Sequence, residues 1–165
     1  MKEIVNDRIN RILNHDLFIE CINKNEIEEK DRKFCRHNMG HFLDVARLAM
    51  IFNLQEQLDI PRDIIYAAAL LHDIGRFKQY QDGIPHEKAS AALAPEILVD
   101  CGYDYKETCV IVTAISNHRN ADIKEETSLN GLLYRADKMS RSCFACSAEK
   151  ECDWKADKKN LSLRY

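Results

Sequence analysis

Four histidines (His41, His72, His86 and His118) and two aspartates (Asp73 and Asp137) are the residues of this sequence whose types and placing point to chemistry. Each histidine falls at or near the end of a different expected helix, or in its opening turn. His72 and Asp73 are adjacent, and they close an Ala-rich apolar run of Ile64, Ile65, Ala67, Ala68, Ala69, Leu70 and Leu71. An imidazole and a carboxylate buried side by side are unfavourable unless they are paired or ligating. Successive helical residues point about 100° apart, so the two converge on one point only where the helix ends. Gly75 is expected to let the chain stop there in a left-handed turn, and Arg76 follows at once. Asp137 stands in the apolar context of Leu132, Leu133 and Ala136. Imidazole and carboxylate together suit iron, manganese, nickel or zinc better than calcium. Helical bundles assemble such centres from inward-facing side chains on several helices.

The elements that must position these residues read as helices throughout. Residues 2–29 carry Ile4, Val5, Ile9, Ile12, Leu13, then Leu17, Phe18, Cys21 and Ile22 at helical spacing, which predicts two short amphipathic helices with Asn14 and Asp16 available as caps. Asn23 to Lys33 is charged and reads as a loop. From Arg36 to Phe52 one broad apolar face includes His41, Phe42, Val45, Leu48, Ala49 and Phe52. Pro61 suits the first turn of the next helix, which ends at His72–Asp73. Residues 76–85 read as a polar loop, and a helix follows from His86 to Val99. Asp104 with Glu107 has the form of a capping box opening a helix towards His118. Arg119 to Glu126 is a loop, and Thr127 or Ser128 caps a helix through Met139. No run alternates with period two, so the fold class is all-α.

Composition sets the frame. A chain of 165 residues with 45% hydrophobic and 31% charged side chains has the make-up of one soluble domain. A formal net charge of −3 gives no general attraction to nucleic acid or an anionic membrane. No apolar stretch approaches the roughly 20 residues of a membrane span, and the first residues lack the apolar core of a signal peptide. The expected address is cytoplasmic. Seven cysteines without an export signal read as reduced thiols or metal ligands. Cys143-x-x-Cys146 followed by Cys152 supplies three corners of a zinc or iron–sulfur site, with Cys35 as a candidate fourth. The alternative is incidental small residues. Cys21, Cys101 and Cys109 read as core.

The ordered pieces His41-Phe42-Leu43-Asp44-Val45-Ala46, Leu70-Leu71-His72-Asp73-Ile74-Gly75-Arg76, His86-Glu87-Lys88-Ala89, Ile115-Ser116-Asn117-His118 and Leu133-Tyr134-Arg135-Ala136-Asp137-Lys138 resemble the HD-type metal-dependent phosphohydrolases. The resemblance covers residues 36–141, leaving the N-terminal helices (1–29) and a cysteine-bearing tail (142–165) around it within a single domain, 1–165. It implies a compact helical bundle in which His41, His72, Asp73 and Asp137 hold one metal. His86 and His118 complete a second position in the six-ligand branch, with Asp73 bridging.

The implied reaction is hydrolysis of a phosphoester or phosphoanhydride of a nucleotide or dinucleotide by metal-bound hydroxide. Its cofactors are one or two divalent ions (Fe, Mn, Ni or Zn), its partner is a small phosphorylated substrate, and neither nucleic acid nor membrane is involved. Asp73, Arg76 and Arg119 are the catalytic candidates. The two arginines follow ligand motifs, where a guanidinium can grip phosphate oxygens; Lys138 is a further cation there. Asp44 is a candidate to orient a ligand imidazole, and His37 to contact substrate or cap a helix. Arg76, and Arg119-Asn120 after His118, depart from the lysine and the Gly-Tyr-Pro signature of cyclic dinucleotide phosphodiesterases. Two alternatives stand beside hydrolysis: a non-catalytic metal-binding sensor or interaction module, and a di-iron oxygenase of the same superfamily.

Overall fold

A computed structural model describes residues 7–165, so Ile4 and Val5 lie outside the described residues. The chain forms α1 (Arg8–Leu13), α2 (Asp16–Glu29), α3 (Met39–Glu56), α4 (Arg62–Leu71), α5 (Arg76–Asp82), α6 (His86–Asp100), α7 (Tyr105–Asn117) and α8 (Leu129–Met139). Short 3-10 turns occupy 121–123, 143–145, 149–151 and 156–158, and there is no strand among the described residues. The all-α expectation holds.

Helix α4 is the centre. Its seven residues Ile64, Ile65 and Ala67–Leu71 are all buried, as an Ala-rich helix must be when neighbours cover nearly every side. Helices α3, α7, α1, α6 and α8 pack around it, with α3 against α8 and α6 against α7. The α3–α4 connection is fixed by Asn53, whose side chain donates to the Ile60 carbonyl and accepts from the Ile60 N–H, both at 3.1 Å. Arg8 of α1 clamps the far side: its Nε donates to Asp63 of α4 at 2.7 Å and its guanidinium to Glu107 of α7 at 2.6 Å.

Caps follow short-range chemistry. Asp104 and Glu107 form the expected capping box at α7, and Asn38 accepts from His41 N–H to start α3. At α2 the cap is His15, whose ring nitrogen accepts from Leu17 N–H, rather than Asn14 or Asp16. Ser128 holds the cap position of α8, but its hydroxyl donates to Glu126 instead.

Three expectations are corrected. The stretch from Asn23 is not a loop up to Lys33, because α2 runs on to Glu29 and buries Asn25 and Glu29. Residues 76–82 are not a loop but helix α5, with Phe77 buried and Gly83 ending it at φ 70°. Gly75 is not left-handed, at φ −88°. It is small because α6 crosses it closely: a Cβ there would lie 2.5 Å from Ser90 N and 2.7 Å from Ala89.

Candidate metal centre

The turn between α4 and α5 carries His72 and Asp73, and buried polar side chains clamp it from both sides. Asn25 of α2 donates to the Asp73 carbonyl at 3.0 Å and accepts from Phe77 N–H at 2.8 Å. Ser90 of α6 accepts from Gly75 N–H at 2.9 Å. The same close approach that requires glycine at 75 thus brings α6, and His86 at its start, against Asp73.

All six candidate ligands meet there, buried. His41, His72, Asp73 and Asp137 form one set, and Asp73, His86 and His118 a second, with ligand atoms within 4.8 Å of one another in each. Asp73 divides its two oxygens between them. Oδ2 faces His72 Nε2 at 3.1 Å and His41 Nε2 at 3.6 Å. Oδ1 faces His86 Nε2 at 3.3 Å and His118 Nε2 at 3.4 Å. Asp137 Oδ1 closes the first set, 3.4 Å from His41 and 3.6 Å from His72. A tetrahedron with edges of ~3.4 Å has its corners about 2.1 Å from its centre, a metal–ligand bond length.

The protonation pattern fits a cation equally well. His72 Nδ1 lies 2.7 Å from the Ala69 carbonyl and His118 Nδ1 2.6 Å from that of Ile115. A carbonyl only accepts, so both rings carry a proton on Nδ1 and turn Nε2 inward as the ligating nitrogen. These carbonyls belong to the last turns of α4 and α7, where helical partners run out. For His41 the Nδ1 partner is Ser140 Oγ at 3.3 Å, itself donating to the Asp137 carbonyl. His72 Nε2, Asp73 Oδ1 and Asp137 Oδ1 are buried without any hydrogen-bond partner. Orphaned polar atoms of this kind, His72 Nε2 and Asp137 Oδ1 in the first set and Asp73 Oδ1 in the second, are costly unless a cation joins each set.

Electrostatics agree. Burial alone would raise the carboxyls of Asp73 and Asp137, but the neighbouring His72 and Lys138 respectively hold them well below the usual range. Burial pulls His72 down, yet the two aspartates override it and lift it to about 10. The cluster therefore has an excess of negative charge that demands a proton or a metal ion. Burial lowers His86 to about 3, which keeps it neutral and ready to ligate.

Above this floor opens a cavity of about 220 Å³ whose walls carry Arg32, Arg76, Arg119, Lys138, Arg141 and Lys159. Arg76 reaches Tyr80 and His86, while Arg119 is half exposed and 3.6 Å from Glu87. Lys138 Nζ is bound to Asp137 Oδ2 at 2.6 Å. Asp44 does not orient His41: it is exposed and lines a different surface hollow. Cys109 is exposed rather than core, whereas Cys21 and Cys101 are buried. Cys35, Cys143, Cys146 and Cys152 line the cavity wall and belong to neither converged ligand set.

Sequence reasoning missed two residues on the floor and undervalued a third. Arg141 lies 3.2 Å from His37 Nε2 and 3.4 Å from His41 Nε2; its place four residues after Asp137 was the available signal. Glu29 accepts from the His37 backbone and from His37 Nδ1, both at 2.6 Å, and from Tyr80 OH at 2.7 Å. It thereby aims His37 Nε2 at Asp73 Oδ2, 3.8 Å away. Nothing in the hydrophobic pattern marks Glu29 as buried.

The HD domain family profile matches residues 38–142, which span all six converged side chains. The chain belongs to the HD-domain family. An uncharacterised protein of Clostridium beijerinckii is 45% identical over 159 residues, covering 96% of this chain and 99% of that one. The crystal structure of a predicted HD superfamily hydrolase from an uncultured Thermotogales bacterium superposes with a TM-score of 0.66. It is 24% identical, and the match covers 92% of this chain and 81% of that one, a likeness of fold. This HD-domain protein thus presents a buried His/Asp cluster able to hold divalent metal. No helix among the described residues is long and apolar enough to cross a membrane.

Proposed function

We propose that this HD-domain protein is a metal-dependent phosphohydrolase of the six-ligand type, cleaving a phosphoester or phosphoanhydride bond of a nucleotide or dinucleotide. One observation carries the reading: a single carboxylate, Asp73, is shared between two ligand sets on the floor of a cavity walled by cations. Divalent ions held there would activate water and neutralise charge on the phosphoryl group.

The protein's own residues supply the rest. The Nδ1 bonds of His72 and His118 hold the inward nitrogens in place before substrate arrives. Arg76 is positioned to bind phosphoryl oxygens with its planar fork, and Arg119 and Arg141 flank it on the cavity wall. At about 220 Å³ the cavity is smaller than the ~300–1,000 Å³ pockets that enclose a whole small molecule. It therefore takes the reacting phosphoryl end and leaves the remainder of a nucleotide at the mouth.

The test is a panel of phosphomonoesters, phosphodiesters, nucleotides and dinucleoside polyphosphates, assayed with protein of measured metal content and His72→Ala as control. Hydrolysis of a phosphoanhydride or phosphoester that disappears in His72→Ala is the expected result. Metal-loaded protein that cleaves nothing in the panel would overturn the reading.

A further inference from the structure

The proposed hydrolysis uses none of the cysteines, yet four of the seven line one cavity. We propose that Cys35, Cys143, Cys146 and Cys152 form a separate tetrathiolate site for a single zinc-class ion, which fastens the C-terminal segment as the outer wall of the cavity. The proposal stands whatever reaction the His/Asp centre performs.

Placement is the first support. Cys35 precedes α3 and is more than a hundred residues from the others, but all four border the same space, together with Trp154. An ion pair between Lys33 and Glu151 ties the Cys35 segment to the residue beside Cys152. None of the four is in a disulfide.

Local geometry is the second. Cys143 opens a one-turn 3-10 helix, and Cys146 N–H donates back to the Cys143 carbonyl at 3.2 Å. In a 3-10 turn residues i and i+3 eclipse, so this turn presents two thiols on one side. Cys152 repeats the arrangement, ending the one-turn helix 149–151 just as Cys146 ends 143–145. The two have nearly the same backbone, φ −86° and ψ 120° against φ −73° and ψ 128°.

The third support is that little else holds the segment. From residue 142 onwards only Ala148 is buried among apolar side chains, and the regular structure is three single turns. Polar ties remain, chiefly Asn160 to the Lys138 and Arg141 carbonyls at 2.9 Å. A stretch with so small a core is the kind that a structural metal orders. Four thiolates close the coordination shell of zinc and leave no open position, which makes the site structural. No three of these sulfurs lie as close together as the His/Asp ligand atoms do, so the proposed site requires the segment to close around the ion.

The test compares wild type, Cys146→Ser, Cys35→Ser, Cys109→Ser and His72→Ala, each purified under reducing conditions and loaded with cobalt(II) as the zinc probe. Wild type, Cys109→Ser and His72→Ala are expected to show thiolate-to-cobalt charge-transfer absorption and one thiol-bound equivalent of metal. Cys146→Ser and Cys35→Ser are expected to lose both while keeping metal at the His/Asp centre. Trypsin should then cleave after the exposed Lys155 and Lys158 at least about tenfold faster. Cys35 lies outside the tail, so its variant answers the question even if Cys146→Ser fails to fold. Absence of the charge-transfer band in wild type would overturn the proposal, as would free titration of all four thiols in the metal-loaded protein. Acid-labile sulfide would overturn the single-ion assignment in favour of an iron–sulfur cluster.

Discussion

Arg76 and Gln79 compete for one atom, Nδ1 of His86, each standing 2.6 Å from it. Arg76 can only donate and the Gln79 carbonyl oxygen only accepts, so the two contacts require opposite tautomers. With Gln79 as partner the proton sits on Nδ1 and Nε2 is free to ligate; with Arg76 as partner it is not. A metal held by the second set would favour the Gln79 pairing and leave the Arg76 guanidinium free for the cavity it lines. Gln79→Ala is expected to weaken binding at that set by about 10–100-fold while sparing the first set, measured by metal titration.

Arg76→Ala should leave metal content intact and lower the rate of hydrolysis by on the order of a hundredfold. Arg76→Lys should recover only part of it, since one point charge replaces a planar fork. Parallel measurement of stoichiometry and kcat/KM checks both; full activity in Arg76→Ala would remove it from the proposed machinery.

Asp73→Asn should empty both sets, because each depends on one of its oxygens. His118→Ala should empty the second alone. Elemental analysis of the two variants after identical loading distinguishes a shared carboxylate from two independent sites.

Gly75→Ala tests the crossing of α6 over the ligand turn. A methyl group 2.5 Å from a backbone nitrogen forces helix and turn apart, and overpacking of this kind costs about 1–3 kcal/mol. A lowered denaturant midpoint together with weaker metal binding is expected, since the displaced turn carries His72 and Asp73.

Glu29 gives a pH signature. Burial would raise its carboxyl, but the hydrogen bonds from His37 and Tyr80 bring it down from 4.5 to about 2. A depressed carboxyl stabilises the folded state above its unfolded value, and that stability is lost as pH falls through the folded one. The melting-temperature gap between wild type and Glu29→Gln should thus be widest above about pH 5 and shrink from there towards pH 2.

The metal-competent residues were legible in the sequence because buried imidazole and carboxylate are conspicuous in apolar helices, and their order along the chain is distinctive. Helix α5 was not legible: with Phe77 its only buried residue, it has no apolar stripe, and Asp82-Gly83 with Pro85 looks like a loop. The end of α2 was hidden for a related reason, since Asn25 and Glu29 face inward for hydrogen bonding, where hydrophobic periodicity carries no trace. Gly75 was conspicuous as a helix terminator, but its need arises from α6, a partner that sequence spacing does not show.

The aiming of the imidazoles divides the centre into two kinds of inheritance. His72 and His118 are oriented by carbonyls of their own helices, and no side-chain substitution can delete a carbonyl. His41 and His86 rely on Ser140 and Gln79, which single nucleotide changes can replace. Drift among related sequences can therefore retune the affinity and tautomer of one ligand in each set, while the other stays anchored. The fold can explore new chemistry without first losing its capacity to hold metal.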